Sequence, residues 1–216
     1  MQHQHDAPEW SVVHSAAEMQ QLSNLGHKVE GALLLMVAVI AGLQAVGFLK
    51  MKQLWPSVIV VAGLFLIGFL LLHHGTEKFQ LVWKLLISDP QQRQHLTMAG
   101  LLVIAGVSEL IFRGYHVNWL RFVWPLVLCL VGLMFLTHEQ HGSSEAVDWA
   151  QRIHRYLGAL LIVVSISILA NIFFGERYKW LPFVWPVLLV ITSIFLFAYN
   201  EPEGAYEKSS NHSTHE

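Results

Sequence analysis

Thirteen histidines in 216 residues are the side chains of this chain best suited to chemistry. Neutral imidazole is the commonest protein ligand for zinc, copper, nickel and iron. His138 and His141 stand three residues apart, so on a helix they share a face and can converge on one ion. His73 and His74 are adjacent, and a glycine follows each group closely, at Gly75 and Gly142. His95 and His154 each stand at the head of an apolar run, as does His27. The candidate metal ligands are therefore His73, His74, His95, His138, His141 and His154, with Glu77, Glu139 and Glu145 as nearby acids. Copper is preferred to zinc only by the general affinity order for such ligands.

Other metal and catalytic chemistries find little footing. The single cysteine, Cys129, rules out an intrachain disulfide and a cysteine-based zinc or iron–sulfur site, and reads as a small core residue. Neither H-E-x-x-H nor Cys-x-x-Cys occurs. The methionines, among them Met36, Met98 and Met134, form no thioether ladder, which argues against a copper pump or channel. No Ser/His/Asp order, phosphate loop or carboxylate dyad emerges. The chain reads as a non-enzymatic protein; a metal-activated water would require a three-ligand site with an open position.

A repeated unit positions the histidines. Trp55-Pro56 leads through an apolar run to His73-His74-Gly75, and Trp124-Pro125 leads through another to His138 and His141-Gly142. Trp185-Pro186 leads in the same way to Tyr199, Glu201, Glu203 and Gly204. A second apolar helix precedes each copy, headed by His27, His95 or His154. The repeats span about residues 27–75, 95–142 and 154–204.

Composition fixes the setting. The chain is 54% hydrophobic and 13% charged, about half the charged share of an ordinary soluble domain. The apolar residues come in six blocks near 29–49, 55–72, 98–112, 122–137, 156–174 and 183–199, close to the ~20 residues that cross a bilayer. The fold class expected is an all-α membrane protein: six transmembrane helices as three tandem helical hairpins, with one or two short interfacial helices. Residues 1–27 form a polar, histidine-bearing lead, 28–200 the transmembrane domain, and 201–216 a polar tail expected to be disordered. The lead shows no short apolar segment with a cleavage site, so the first span is expected to act as an uncleaved anchor. With a net charge of -2 and no basic face, nucleic acid is not an expected partner. The expected partners are the lipid bilayer and either other membrane subunits or a periplasmic metal carrier.

The short connections carry Lys50 and Lys52, then Arg113 and Arg121, then Arg177 and Lys179. Basic density in short loops orients a membrane protein, so these turns are expected on the cytoplasmic side of a bacterial inner membrane and both termini on the periplasmic side. Every histidine except His116 then falls on the outer side. Packed side by side, the hairpins would set His73 and His74 against His95, and His138 and His141 against His154. A closed ring would also bring Glu201 or Glu203 to His27.

Smaller features complete the reading. Asp89-Pro90 predicts a capped helix running through His95, and Ser143-Ser144-Glu145 one running through His154. A first amphipathic helix is expected from Ala7-Pro8, and the segment 79–87, FQLVWKLLI, is expected along the membrane surface. Glu109 and Arg113, four apart, are expected to pair, with Gln44 and Asn171 in similar positions of the other repeats. Trp55, Trp124 and Trp185 read as interface anchors, and Gly31, Gly100 and Gly158 as points of close helix contact. Two functions of other classes compete with metal handling. One is a b-type cytochrome, with haem held by His141 and His154 or by His74 and His95, and Arg155 or Arg93 at the propionates. The other is a cofactor-free structural subunit.

Overall fold

The computed structural model describes residues 15–72, 79–138 and 144–202, and they are helical with short connections. The helices are α1 (Ala16–Ala45), α2 (Leu54–Leu72), α3 (Phe79–Ser88), α4 (Pro90–Tyr115), α5 (Val123–Leu136), α6 (Ser144–Phe174) and α7 (Leu181–Ala198). A 3-10 turn, Asn118–Phe122, leads into α5. All but α3, with α5 counted together with the 3-10 turn before it, are long and apolar enough to cross a membrane, the make-up of an integral membrane protein. At 1.5 Å per residue the 18 residues of α7 reach about 27 Å, and the 31 of α6 about 46 Å, well beyond a hydrocarbon core.

The sequence explains most boundaries. Ser15 caps α1 with its side chain on the Glu18 amide, while the Glu18 carboxylate accepts from the Ser15 N–H at 2.8 Å, a capping box. Asp89 Oδ1 accepts from the Gln92 amide at 3.1 Å, with Pro90 in the first turn. At the far end of α4, His116 takes the left-handed conformation (φ 56°) that closes many helices. Helix α1 thus begins 13 residues before its apolar block, and the Ala7-Pro8 helix and the Ser143 cap lie outside the described residues. The segment 79–88 is a helix.

The six long helices close into a ring in the order α1, α2, α4, α5, α6, α7. The most extensive packing runs between successive hairpins, α2 on α4, α5 on α6 and α7 on α1, with looser packing inside each hairpin. Lipid tails give apolar helices no hydrophobic reason to associate, so close backbone approach must supply the attraction. Small residues provide it at all three tight interfaces. A methyl on Gly132 would stand 2.8 Å from the Gly158 carbonyl oxygen, and one on Gly158 2.6 Å from that of Gly132. On Gly63 it would stand 2.8 Å from the Ala99 carbonyl oxygen, and on Gly31 3.3 Å from that of Ser193. Gly100, expected at such a contact, meets nothing within 4 Å. Ala99 holds that place, four residues after His95 as Gly31 and Gly158 are four after His27 and His154. An alanine fills the repeated position, and the neighbouring glycine only resembled it.

The tryptophans overturn a second expectation. Trp55, Trp124 and Trp185 are 2%, 3% and 8% exposed, far from the half-wet state of an interface anchor. The Trp55 ring centre lies 5.7 Å from that of Trp124 and 5.4 Å from that of Trp185. Each tryptophan is four residues before a buried Ile59, Leu128 or Leu189 and eight before Gly63, Gly132 or Ser193, so it belongs to the inward face of its helix. The face decided the matter, and proximity to a helix end did not. The outward faces carry exposed Val61, Leu64, Leu133, Ile166, Val187 and Ile194, an apolar mantle suited to lipid.

Near the tryptophans the basic turns are tied down. Arg113 Nε donates to Glu109 at 2.7 Å, the expected pair. The same guanidinium donates to the Lys52 carbonyl at 3.0 Å and lies 4.8 Å over the Trp55 ring. Gln44 Nε2 donates to the Met51 carbonyl at 2.7 Å. Arg113 and Gln44 both close the turn between α1 and α2.

Candidate functional site: an imidazole layer over a cavity

The opposite end of the ring gathers imidazoles. His27 stands eleven residues into α1, His95 five into α4 and His154 ten into α6, while His138 follows the last turn of α5. Because the helices alternate around a closed ring, the residues that enter or leave at this end converge on its centre. The His138 ring centre lies 4.9 Å from that of His95 and 4.6 Å from that of His154. His154 lies 5.9 Å from Tyr199, Tyr199 4.3 Å from His27, and His27 6.2 Å from His154. His138 and Tyr199 occupy one position of the repeat, fourteen residues after Trp124 and Trp185, and Phe69 stands there after Trp55. His138 and His154 are 5% and 2% exposed.

Backbone contacts set the tautomers. His27 Nδ1 donates to the Ser23 carbonyl at 2.8 Å and His95 Nδ1 to the Gln91 carbonyl at 2.9 Å, each to the residue four earlier. A carbonyl can only accept, so in the neutral ring the proton sits on Nδ1 and Nε2 keeps its lone pair. His154 stands near the Ala150 carbonyl, also four earlier, but both of its ring nitrogens are buried outside good hydrogen-bond geometry. An Nδ1–H tied to a carbonyl with Nε2 held outward is the usual support of a metal-binding imidazole. His138 Nδ1 instead meets Gln94 Oε1 at 2.7 Å.

The chain beyond α7 folds back onto α1. Glu201 accepts from Ser23 Oγ at 2.7 Å, its backbone N–H donates to Asn24 Oδ1 at 2.7 Å, and its carbonyl accepts from Gln20 Nε2 at 2.8 Å. The ring is thus closed and Glu201 stands beside His27 through Ser23, whose Oγ is 3.4 Å from His27 Nδ1. Glu201 is 5% exposed, so the polar tail is fixed at its first residue.

Below the imidazoles lies a cavity of about 210 Å³, walled by His27, His95 and His154 and extending down to Trp124. Glu30 also lines it, one helical turn from His27 on the same face of α1. Among the described residues its carboxyl finds no hydrogen-bond or ion-pair partner.

Of the six candidate ligands, His95, His138 and His154 come together, and His73, His74 and His141 lie outside the described residues. His138 meets His154 as the side-by-side arrangement requires, and also meets His95, a contact that arrangement did not foresee. As they stand the rings pack edge to face, at 83° and 68°, rather than converging. Among the described residues no three of His, Cys, Asp or Glu surround a common point. Sequence reasoning set His27 opposite Glu201 or Glu203 and named Tyr199 at the end of the third repeat without giving either a place in this layer, and it passed over Gln94 and Glu30. A lone carboxylate inside an apolar block is itself the signal for Glu30. No family model, curated protein or solved structure matches the chain.

Proposed function

We propose that this integral membrane protein holds a transition-metal ion, copper or zinc, among the imidazoles of His95, His138 and His154, with His27 adjoining. Metal handling at one membrane face is the function, and the chain carries out no reaction of its own. One observation carries the reading. Two imidazoles bound to one ion at ~2.0–2.1 Å put their ring centres about 5 Å apart, and His138 stands 4.9 Å and 4.6 Å from its two neighbours. To hold an ion, the rings would have to turn from the edge-to-face packing described above so that their lone pairs converge. The basic turns at the tryptophan end support a cytoplasmic placement of that end, which puts the imidazoles at the outer face of a bacterial inner membrane. Helix α3 would lie along that outer surface.

The test is elemental analysis and an absorption spectrum of detergent-purified protein, beside His138→Ala and His154→Ala. About one equivalent of copper or zinc in the wild type, lost in both variants, is expected. A Soret band would replace the ion by haem. Near-zero metal after loading with either ion would leave a cofactor-free subunit.

A further inference from the structure

The tryptophan end of the ring has a rim that its buried indoles leave unexplained. Trp119 and Trp180 each stand five residues before the Trp-Pro tryptophan of their repeat, and they are 66% and 61% exposed. Phe48 is exposed in the turn between α1 and α2, and Tyr115 and Tyr178 are exposed in the other two. Each of the three turns thus presents aromatic rings outward. Such rings settle at headgroup level in a bilayer, so the anchoring expected of Trp55, Trp124 and Trp185 falls to these.

The same turns carry charge. Lys50 and Lys52 stand in the first, Arg121 in the second, and Arg177 and Lys179 in the third, against one acid, Glu176. Among the described residues none of the five is paired with a carboxylate, unlike Arg113. Arg121 lies 4.9 Å over the Phe122 ring and Arg177 5.4 Å over that of Tyr178. A ring is not the acceptor a guanidinium pairs with best, which is an anionic oxygen. Arg121 Nε is moreover buried without a partner. At the histidine end, Lys28, Arg152 and Arg155 share their end with Glu145, Asp148 and Glu201. The surplus of positive charge belongs to the turns.

Unpaired cations set among headgroup-level rings call for an anion at that depth. In a bilayer the anion found there is a lipid phosphate, with acyl chains beneath it for the apolar outward faces of the helices. We propose that the three turns bind anionic phospholipid in preference to zwitterionic phospholipid, with the headgroups on Lys50, Lys52, Arg121, Arg177 and Lys179 and the chains below Trp119 and Trp180. A zwitterionic headgroup brings its own cation and gains little from the turns. Each cation near anionic lipid strengthens binding about fivefold, so several together should give a preference of about tenfold or more. The inference rests on the integral-membrane reading and is independent of the metal.

Native mass spectrometry tests it, on protein in neutral detergent equilibrated with equal amounts of phosphatidylglycerol and phosphatidylcholine of the same acyl chains. Adducts of phosphatidylglycerol should outnumber the others about tenfold or more, and the ratio should fall as ammonium acetate is raised and screening grows. Changing the four exposed cations together, Lys50→Gln, Lys52→Gln, Arg177→Gln and Lys179→Gln, should bring the ratio to within about twofold. The triple variant Lys28→Gln, Lys84→Gln and Arg152→Gln, at the histidine end, should keep it. Equal retention of the two lipids by the wild type, or a preference lost in the triple variant and kept in the quadruple one, would overturn the proposal. Adducts of inorganic phosphate as abundant as those of lipid would also overturn it, by marking a site for free anions. If the quadruple variant fails to fold, the wild-type ratio beside that of the triple variant still decides.

Discussion

The two ends of the helical ring are built from the same repeat yet treat their aromatic groups oppositely. At one end three tryptophans pack on one another, with Arg113 over Trp55. At the other, four imidazoles gather, three of them lining a cavity, and one of these, His154, has neither ring nitrogen in a good hydrogen bond. Indole buries a large apolar surface and has one donor to place, which Trp124 leaves without a partner, whereas imidazole is small and has two polar atoms. A layer of tryptophans can hold helices together; a layer of imidazoles in an apolar setting costs stability unless something else binds it. The tryptophan end therefore reads as scaffold and the histidine end as site.

Mutations that break the scaffold should have the largest effects. Gly158→Val places a branched side chain against a backbone oxygen that a methyl would already approach to 2.6 Å, so α5 and α6 must part. Loss of the folded protein's peak in size-exclusion chromatography is expected, while Gly100→Ala, with open space around it, should leave the protein unchanged. A well-folded Gly158→Val would show that the interface is looser than the ring requires. Next comes Trp124→Ala, which should cost about 3–5 kcal/mol in stability, as large-to-small changes of buried aromatics do. Trp124→Phe should cost clearly less. Arg113→Ala removes the partner of a nearly buried Glu109 and the donor to the Lys52 carbonyl, for about 1–3 kcal/mol. In each case metal bound per folded molecule should remain at the wild-type level, and a loss there would mean that the two ends are not separable.

These contrasts also show what the sequence disclosed. The six spans, the Asp89 cap and the Glu109–Arg113 pair were legible because each depends on neighbours within a few residues. The inward position of Trp55, Trp124 and Trp185 was not, since facing lipid and facing the axis differ by about half a helix turn and the apolar blocks are hydrophobic all round. A helix of that kind carries no moment to announce its buried face. Ala99 escaped notice for a similar reason: only opposing backbones reveal which small residue makes the contact. At the site, His138 with His154 followed from the order of hairpins. The meeting of His95 with His138, and the placing of Glu30 in the cavity wall, required the ring to close around a centre.

Metal binding should weaken on acidification, because protons compete for the lone pairs an ion needs. Bound copper or zinc measured by dialysis over a falling pH series checks the sign: uptake must decline on the acid side. Uptake that rose on the acid side would remove imidazole from the account.

The smallest expected change in stability belongs to His154→Ala, and it is the sharpest test of scaffold against site. Deleting a buried ring normally opens a void and loses about 2–5 kcal/mol. Here the ring lines the cavity on one side and packs on His138, Phe135 and Tyr199 on the other. Its removal also relieves two buried nitrogens of their desolvation, on the order of 1–3 kcal/mol. The opposing terms should leave a net shift within about 1 kcal/mol, read as a melting temperature close to that of the metal-free wild type. Binding should respond quite differently, with metal uptake lost. Added copper or zinc should raise the melting temperature of the wild type and leave that of His154→Ala in place, since an ion stabilises only the fold that holds it. Equal stabilisation of both proteins would place the ion elsewhere; a collapse of the variant would make His154 part of the scaffold, like Trp124.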